Sequence, residues 1–480
     1  MKHPSVSIVL IVHNTAPWLN ACLKSIAAQS FTDFDVVIVD VASNFETKRT
    51  LWRNARQLRR YRLITKLRNV GGAAAGNIGI REATGDYVFL MDSDDRLPPH
   101  AIGALHEAAS RHSNDVTIGR SLSIVDGGVK TMRYRADLIT WAKPLATTDL
   151  ASHPELTMAP YYWGRLYRRE MLLEQDVFMH PGRIFADRYF TCKALKASRR
   201  TEVISADCYY WRRDRGQDAE SESITQRADS LLLMRDRVVG FAEVEALFHD
   251  PADAGILRYV RLSNLMRLFI HTRHLVDNEP TRRGLAEFVL PYARAFSLEE
   301  VASCDFLLAR HKVQWYLIVN ERWDDLLAFQ QLAEPTPTEH AGRLHYGYHA
   351  DIPGLPDELC TQYRYKIDPA EASYRPSTTP DGRGTVEVSA RIPEGMAIEP
   401  LELLFKGSRP DRDLRAPLLD SRLERQSLSF SVGLPEGITP QAIPRLALAY
   451  ICRGRYSTSP VVLSSPESAA ATPADPHIAP

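Results

Sequence analysis

The chain has 480 residues, 44% apolar and 25% charged, which is too long for one ordinary domain and too apolar for a disordered chain. Lys plus Arg number 59 and Asp plus Glu number 59, so no whole-molecule field attracts or repels a polyanion and charge has to be read locally. Six cysteines (Cys22, Cys192, Cys208, Cys304, Cys360 and Cys452) lie far apart with no Cys-x-x-Cys pair, against a zinc site and a disulfide framework. Buried free thiols in a reducing compartment are expected. No apolar run reaches the ~18 residues of a membrane span, and the start MKHPSVSIVLIVHN lacks the cleavage site of a signal peptide. The expectation is a cytoplasmic protein, with the inner face of the cell membrane as a further location.

In chain order, Val6–Val12 is a β-branched strand, followed by a helical pattern from near Trp18 to Gln29. DVVIVD (35–40) is a second strand, an arginine-rich helix spans about 47–59, and YRLITKL is a third strand. A helix over 73–83, the strand DYVFLMD, a helix over 98–111 and DVTIG continue the alternation. Continuous apolar strands separated by helices predict a parallel sheet covered on both faces. Ligands of such sheets sit beyond the carboxyl ends of the strands. His13-Asn14, Asp40 and Asp92-Ser93-Asp94-Asp95 all fall there. Further on, YYWGRLYRREMLLEQ shows helical spacing after Gly164, GRIFADRYFTCKALKAS reads as a loop entering a helix, and VISADCYYWRR reads as a strand.

Residues 226–335 read as helical. There Leu262, Leu265, Met266 and Phe269 form an apolar stripe on a segment dressed with Arg258, Arg261, Arg267, His271 and Arg273. A packed helix with a solvated face and a helix lying on an anionic membrane both fit that pattern. EPTPTEH is a linker by composition. Beyond it, short alternating stretches over 336–465 predict an all-β sandwich of immunoglobulin-like layout, and residues 466–480 read as a disordered tail.

Three carboxylates within four positions, Asp92, Asp94 and Asp95, repel one another and are costly to bury unpaired. Alternate carboxylates at a strand end suit a hard divalent cation, although a single Asp-x-Asp is also common as a plain acidic turn. Together, VSIVLIVHNTAPWLNACLKSIAAQSFTDFDVVIVD and NVGGAAAGNIGIREATGDYVFLMDSDDRLPP resemble the inverting family 2 glycosyltransferases with the GT-A fold, over about residues 5–225. The resemblance implies a nucleotide-sugar donor, a UDP-sugar first, and a Mg2+ or Mn2+ cofactor. It implies Asp94 as the direct metal ligand, with Asp92 at the metal and the nucleotide-sugar and Asp95 supporting. It further implies His13, Asn14, Asp40, Gly71, Asn77, Asp92 and Ser93 along the donor.

Asp187, in IFADRYF, takes the place of the general base that removes the acceptor proton. As Asp it also suits a helix N-cap. Trp163 would stack on an acceptor sugar or pack in the core. Arg212 and Arg213, with Arg215, would meet acceptor phosphates or form a solvated charge run. Three positions depart from the family pattern. Val41 stands for a second acid, Gly76 for an arginine near the diphosphate, and Ala186 for the acid before the base.

The order of a family 2 domain, a helical segment and a β-sandwich resembles bacterial transferases that decorate teichoic acids or related surface polymers. This implies an anionic polyol-phosphate or polysaccharide acceptor, no nucleic acid, and homo-oligomers through the C-terminal strands. Nine Lys or Arg and no acid lie between Lys48 and Arg68. A catalytically decayed binding or assembly protein is the alternative. A nucleotidyltransferase would need a basic Gly-rich loop after the first strand, and HNTAPW is not one.

Overall fold

The computed structural model describes residues 3–125, 128–131, 144–213, 231–272, 279–304, 306–340 and 343–363, and beyond these 370–375, 385–393, 396, 398–405, 414–424, 426–433, 446–452 and 455–463. The expected tail over 466–480, and Arg215 with the loop after it, lie outside the described residues. The chain divides into two compact units, one of residues 1–336 with 346–362, the other of 337–345 with 363–480.

The first unit is built on a mixed sheet. Its strands are β1 (Val6–Val12), β2 (Phe34–Val41), β3 (Tyr61–Lys66), β4 (Tyr87–Asp92), β5 (Val116–Val125), β6 (Gly128–Thr131), β7 (Leu145–Thr147), β8 (Arg165–Arg168) and β9 (Thr201–Arg212). They run in the order β3-β2-β1-β4-β8-β5-β9-β7, with β6 beside β5. β1 is buried along its whole length because both faces are covered. The helices α1 (Ala16–Ala27), α2 (Phe45–Asn54) and α4 (Ala101–His112) share one core, with Leu19, Leu23, Leu51 and Leu105. α3 (Gly71–Glu82) packs on the other face with Ala75 and Ile80.

The strand–helix alternation predicts a purely parallel sheet, and the observed sheet is mixed. β8 enters antiparallel between β4 and β5. Arg165–Arg168 is a short strand rather than the start of a helix, and the helix α5 (Arg169–Glu174) follows it. Helical spacing after Gly164 belongs to α5, and the strand is decided by a vacant place in the sheet. The consequence is functional, because β8 brings residues 159–164 across the carboxyl end of β4.

The helix α6 (Ala186–Ala197) precedes β9. The helices α7 (Leu231–Glu245) and α8 (Ala254–Thr272) then pack against it, with Val244, Phe248, Ile256 and Val260 gathered around Cys192. Leu262, Leu265, Met266 and Phe269 are buried in the unit, so the apolar stripe of α8 is core. Arg261 donates to the Ala295 carbonyl at 2.6 Å and Arg267 to that of Met158. Periodicity shows that a stripe exists, but not whether protein or lipid covers it. No helix among the described residues is long and apolar enough to cross a membrane. Cys22, Cys192, Cys208, Cys304 and Cys360 are free and buried.

Among its described residues the second unit is all-β. Its main sheet runs Leu414–Pro417, Ile398–Phe405, Leu446–Cys452, Arg455–Leu463, Ala370–Arg375, Thr385–Arg391, Ser427–Gly433 and Leu419–Glu424. Neighbours are antiparallel except for the parallel pair Ala370–Arg375 with Arg455–Leu463. Val386, Val388, Leu428 and Phe430 share one core with Leu403, Leu448 and Tyr450.

Candidate active site

The site begins where three neighbouring parallel strands end. Val12 of β1 lies beside Asp40 of β2, and Ile11 beside Asp92 of β4. Thr15, just after β1, bonds its hydroxyl to Ser93 at 2.7 Å, tying the first loop to the acidic turn. Asp94 and Asp95 are buried, and Asp92 is half-buried.

Asp95 accepts the Tyr209 hydroxyl at 2.6 Å and the Arg212 backbone N–H at 2.7 Å. Asp92 accepts the Tyr162 hydroxyl at 2.6 Å. Burial, then the charges of Asp94 and Asp92, push the Asp95 carboxyl well above the usual range. Burial and the neighbouring Asp92 likewise raise the Tyr162 phenol. This is an all-oxygen donor set with three carboxylates in one turn. It fits a hard divalent cation such as Mg2+ or Mn2+, which Asp94 and Asp92 would hold.

Beside the acidic turn, the ends of β1 and β2 and the start of α3 present main chain and small polar groups. His13 is exposed, its Nδ1 2.7 Å from the Val41 carbonyl, and its Nε2 3.2 Å from the Asn69 amide. Asn14 adopts a left-handed conformation, φ 52°, and its side chain accepts the Asn44 N–H at 2.8 Å. Asp40 is buried and accepts the Ser43 N–H at 3.2 Å, which shapes the turn after β2. In that turn Ala42 sits at φ 52°, a conformation that glycine adopts without strain. Gly71 opens α3 at φ 79°, where a side chain would be strained, and its N–H bonds the Asn69 side chain at 2.9 Å.

Asn77 faces a different partner. Its amide donates to the Met179 carbonyl at 2.8 Å and its oxygen accepts the Met179 N–H at 2.9 Å, clamping α3 to the loop before α6. Gly76 meets the same residue: a Cβ there would stand 3.1 Å from Met179 Cε. An arginine side chain at 76 would have to displace Met179.

Asp187 lies in the first turn of α6 and accepts the Arg188 N–H at 2.9 Å, while Phe185 takes the N-cap position. Burial raises its carboxyl to about 6, against the opposing pull of Arg267 and Arg188. Arg188 is buried and fully engaged. It donates to Asn264 at 2.8 Å, to the Thr157 carbonyl at 3.0 Å and to Ser263 at 2.7 Å. Burial lowers it to about 10. Arg237 of α7 is buried over the Phe185 ring at 4.3 Å, also lowered to about 10 by burial, with Asp187 and Asp236 acting on it as counter-charges. Asp236 in turn accepts the Ile184 N–H at 2.8 Å. The helical segment therefore builds the surroundings of Asp187. Sequence reading passed over Arg188, Arg237, Ser263, Asn264 and Tyr162. Only Tyr162 carried a local signal, the aromatic run beside Gly164.

Trp163 is buried and stacks on Tyr161 at 4.3 Å and on Tyr209 at 4.7 Å. Its rings are core, and the half-buried Tyr161 and Trp211 are the members of that stack nearer solvent. Arg212 turns inward, donating from Nε to the Asp94 carbonyl at 2.9 Å. Arg213 is exposed, 5.5 Å above the Trp211 ring.

Residues 7–174 match the family described as glycosyl transferase family 2. A poly(ribitol-phosphate) beta-N-acetylglucosaminyltransferase, TarS of Staphylococcus aureus, is 26% identical over 235 residues, covering 48% of this chain and 39% of that protein. The chain thus spans about two fifths of that relative's length. Residues 1–349 of S. aureus TarS in complex with UDP-GlcNAc share the fold at a TM-score of 0.56 and 17% identity, covering 73% of this chain and 98% of that one. A further S. aureus TarS structure covers 95% of this chain and 77% of its own at a TM-score of 0.53 and 15% identity. Over residues 7–174 the chain thus matches glycosyl transferase family 2, and its first unit shares the GT-A-like fold of the S. aureus TarS structures.

Proposed function

We propose that this protein transfers a sugar, with inversion, from a UDP-sugar to a hydroxyl of an anionic surface polymer of the polyol-phosphate or polysaccharide kind. The observation that carries this reading is Asp187, a carboxylate raised to about 6 by burial, with Arg188, Arg237 and Arg267 around it. A base of that strength is ionised at neutral pH yet takes a proton readily. The acceptor O–H gives its proton to Asp187, the oxygen bonds to C1, and the C1–O bond to the diphosphate breaks with its electron pair on the phosphate. A divalent cation held by Asp94 and Asp92 would neutralise that leaving group. Asp40 suits the N3–H of uracil because a carboxylate only accepts, and the exposed Arg213 would favour an acceptor with phosphates.

The C-terminal unit is read as an immunoglobulin-like sandwich that holds polymer or a second copy. The proposed organisation is catalytic (1–225), helical (226–335) and sandwich (336–465). Native mass with and without residues 336–480 tests the oligomer, and an unchanged monomer would sink it.

The second reading, a decayed binding protein, draws support from the packing at Gly76, where a Cβ would stand 3.1 Å from Met179 Cε and a larger side chain would crowd it. Thermal-shift measurements with UDP, dTDP, GDP and CDP and their sugars, with and without Mn2+, together with turnover of Asp187→Asn, separate the two. A metal-dependent shift with turnover lost only in the variant supports the transferase. Binding without turnover in the native protein supports decay.

A further inference from the structure

The outer edge of the sheet, far in strand order from β9, carries exposed apolar side chains among cations. α2 turns Leu51 and Thr47 inward. Helical spacing then places Phe45, Arg49, Trp52, Arg53 and Arg56 on the opposite side. Phe45 is 69% exposed and Trp52 62%, with Arg49 over the Phe45 ring at 6.0 Å. The adjoining edge strand β3 adds exposed Tyr61, and the residues after it add Leu67, 95% exposed, and Val70.

The cations of this surface divide into two sets. Arg49, Arg60 and Arg62 pair with Glu46, Asp33 and Glu82. Lys48, Arg53, Arg56, Arg59, Lys66 and Arg68 have no acidic partner among the described residues. Lysines and arginines on an edge strand are an ordinary guard against strand pairing. That guard does not explain an exposed tryptophan, phenylalanine and leucine among them, because apolar groups work against it. Self-association through this face would set like charges against each other. A nucleic acid would use the cations and aromatic rings but leave Leu67 and Val70 in water.

We infer that the α2–β3 face is a docking surface for an anionic lipid bilayer, with Trp52, Phe45 and Leu67 entering the headgroup region and the unpaired cations meeting lipid phosphates. Both parts of such an interface are present: apolar side chains that gain from leaving water and cations that gain from the negative leaflet. The face also differs from the segment that sequence periodicity offered for membrane contact, since α8 spends its apolar stripe on the core.

The test is sedimentation of the full chain with vesicles of phosphatidylcholine alone and with roughly one third phosphatidylglycerol. Binding to the anionic vesicles only, declining as salt rises, is expected. Arg53→Gln with Arg56→Gln should weaken it roughly 25-fold, at about fivefold per cation, and Trp52→Ser roughly tenfold. These side chains are exposed, and an unchanged Tm checks that the variants fold. Absence of binding to anionic vesicles, equal binding to neutral ones, or unchanged binding in both variants would overturn the inference. So would variant-sensitive binding of a soluble polyol-phosphate polymer or of RNA without vesicle binding.

Discussion

Two groups of acids, Asp92, Asp94 and Asp95 at the end of β4 and Asp187 at the start of α6, have their charge handled in different ways. Asp92, Asp94 and Asp95 lie within four residues, and their own mutual repulsion adds to burial in raising Asp95. Asp187 stands apart from other acids in sequence, and burial alone raises it, against Arg267 and Arg188. The first group is met by two tyrosine hydroxyls and a main-chain N–H, from Tyr162, Tyr209 and Arg212. The second is surrounded by cations from the chain itself, brought from α6, α7 and α8. In the proposed function the first would hold the divalent cation and the second would take the acceptor's proton.

Substitutions that remove one side of this contrast should separate the roles. Asp187→Asn should lower turnover by about 10²- to 10⁴-fold while the metal-dependent thermal shift with donor is retained. Asp94→Ala should instead abolish that shift, about 2.7 kcal/mol at a hundredfold excess of donor over its dissociation constant, and turnover with it. Equal turnover in Asp187→Asn would remove it as the base. A pH–rate profile should sharpen the assignment: log kcat/KM falls by one unit per pH unit below about 6 as Asp187 takes up its proton. A limb placed near 4 would show that Asp187 titrates as an ordinary carboxylate.

Stability should change next. Ser263→Ala with Asn264→Ala strips two acceptors from the buried Arg188 guanidinium and should cost about 2–4 kcal/mol in urea unfolding. Asp187→Asn should instead stabilise at pH 7. The folded pKa lies above the unfolded value, so the folded state holds more protons between the two and stability falls as pH rises through that window. The amide removes that loss, for about 1–3 kcal/mol at pH 7 and nothing near pH 3. The smallest effect is expected at Ala42→Gly, which relieves a positive φ and should stabilise by about 0.5–1 kcal/mol, measured as a small rise in urea midpoint.

Much of the crevice was legible because it is local. Strand ends at Val12, Asp40 and Asp92 follow from apolar runs that stop on polar residues, and parallel pairing sets those ends side by side. Less was legible around β8. Four residues with two arginines do not announce a central strand, yet Arg165–Arg168 is one because the sheet has room between β4 and β5. Trp163 reads equally well as a platform or as core, and only the packing of Tyr161 and Tyr209 on its rings decides for core.

By itself the sequence determined the alternation of strands and helices, the acidic turn at 92–95 and the place of Asp187 at the start of a helix, because each is written in a contiguous run. Tertiary structure alone decided what surrounds them. Arg188 meets residues 263 and 264, Asn77 meets Met179 and Tyr162 meets Asp92 across separations of 70 to 102 residues, and no local pattern encodes such contacts. They exist because a buried charge or amide must find partners, and the fold is the arrangement that supplies them.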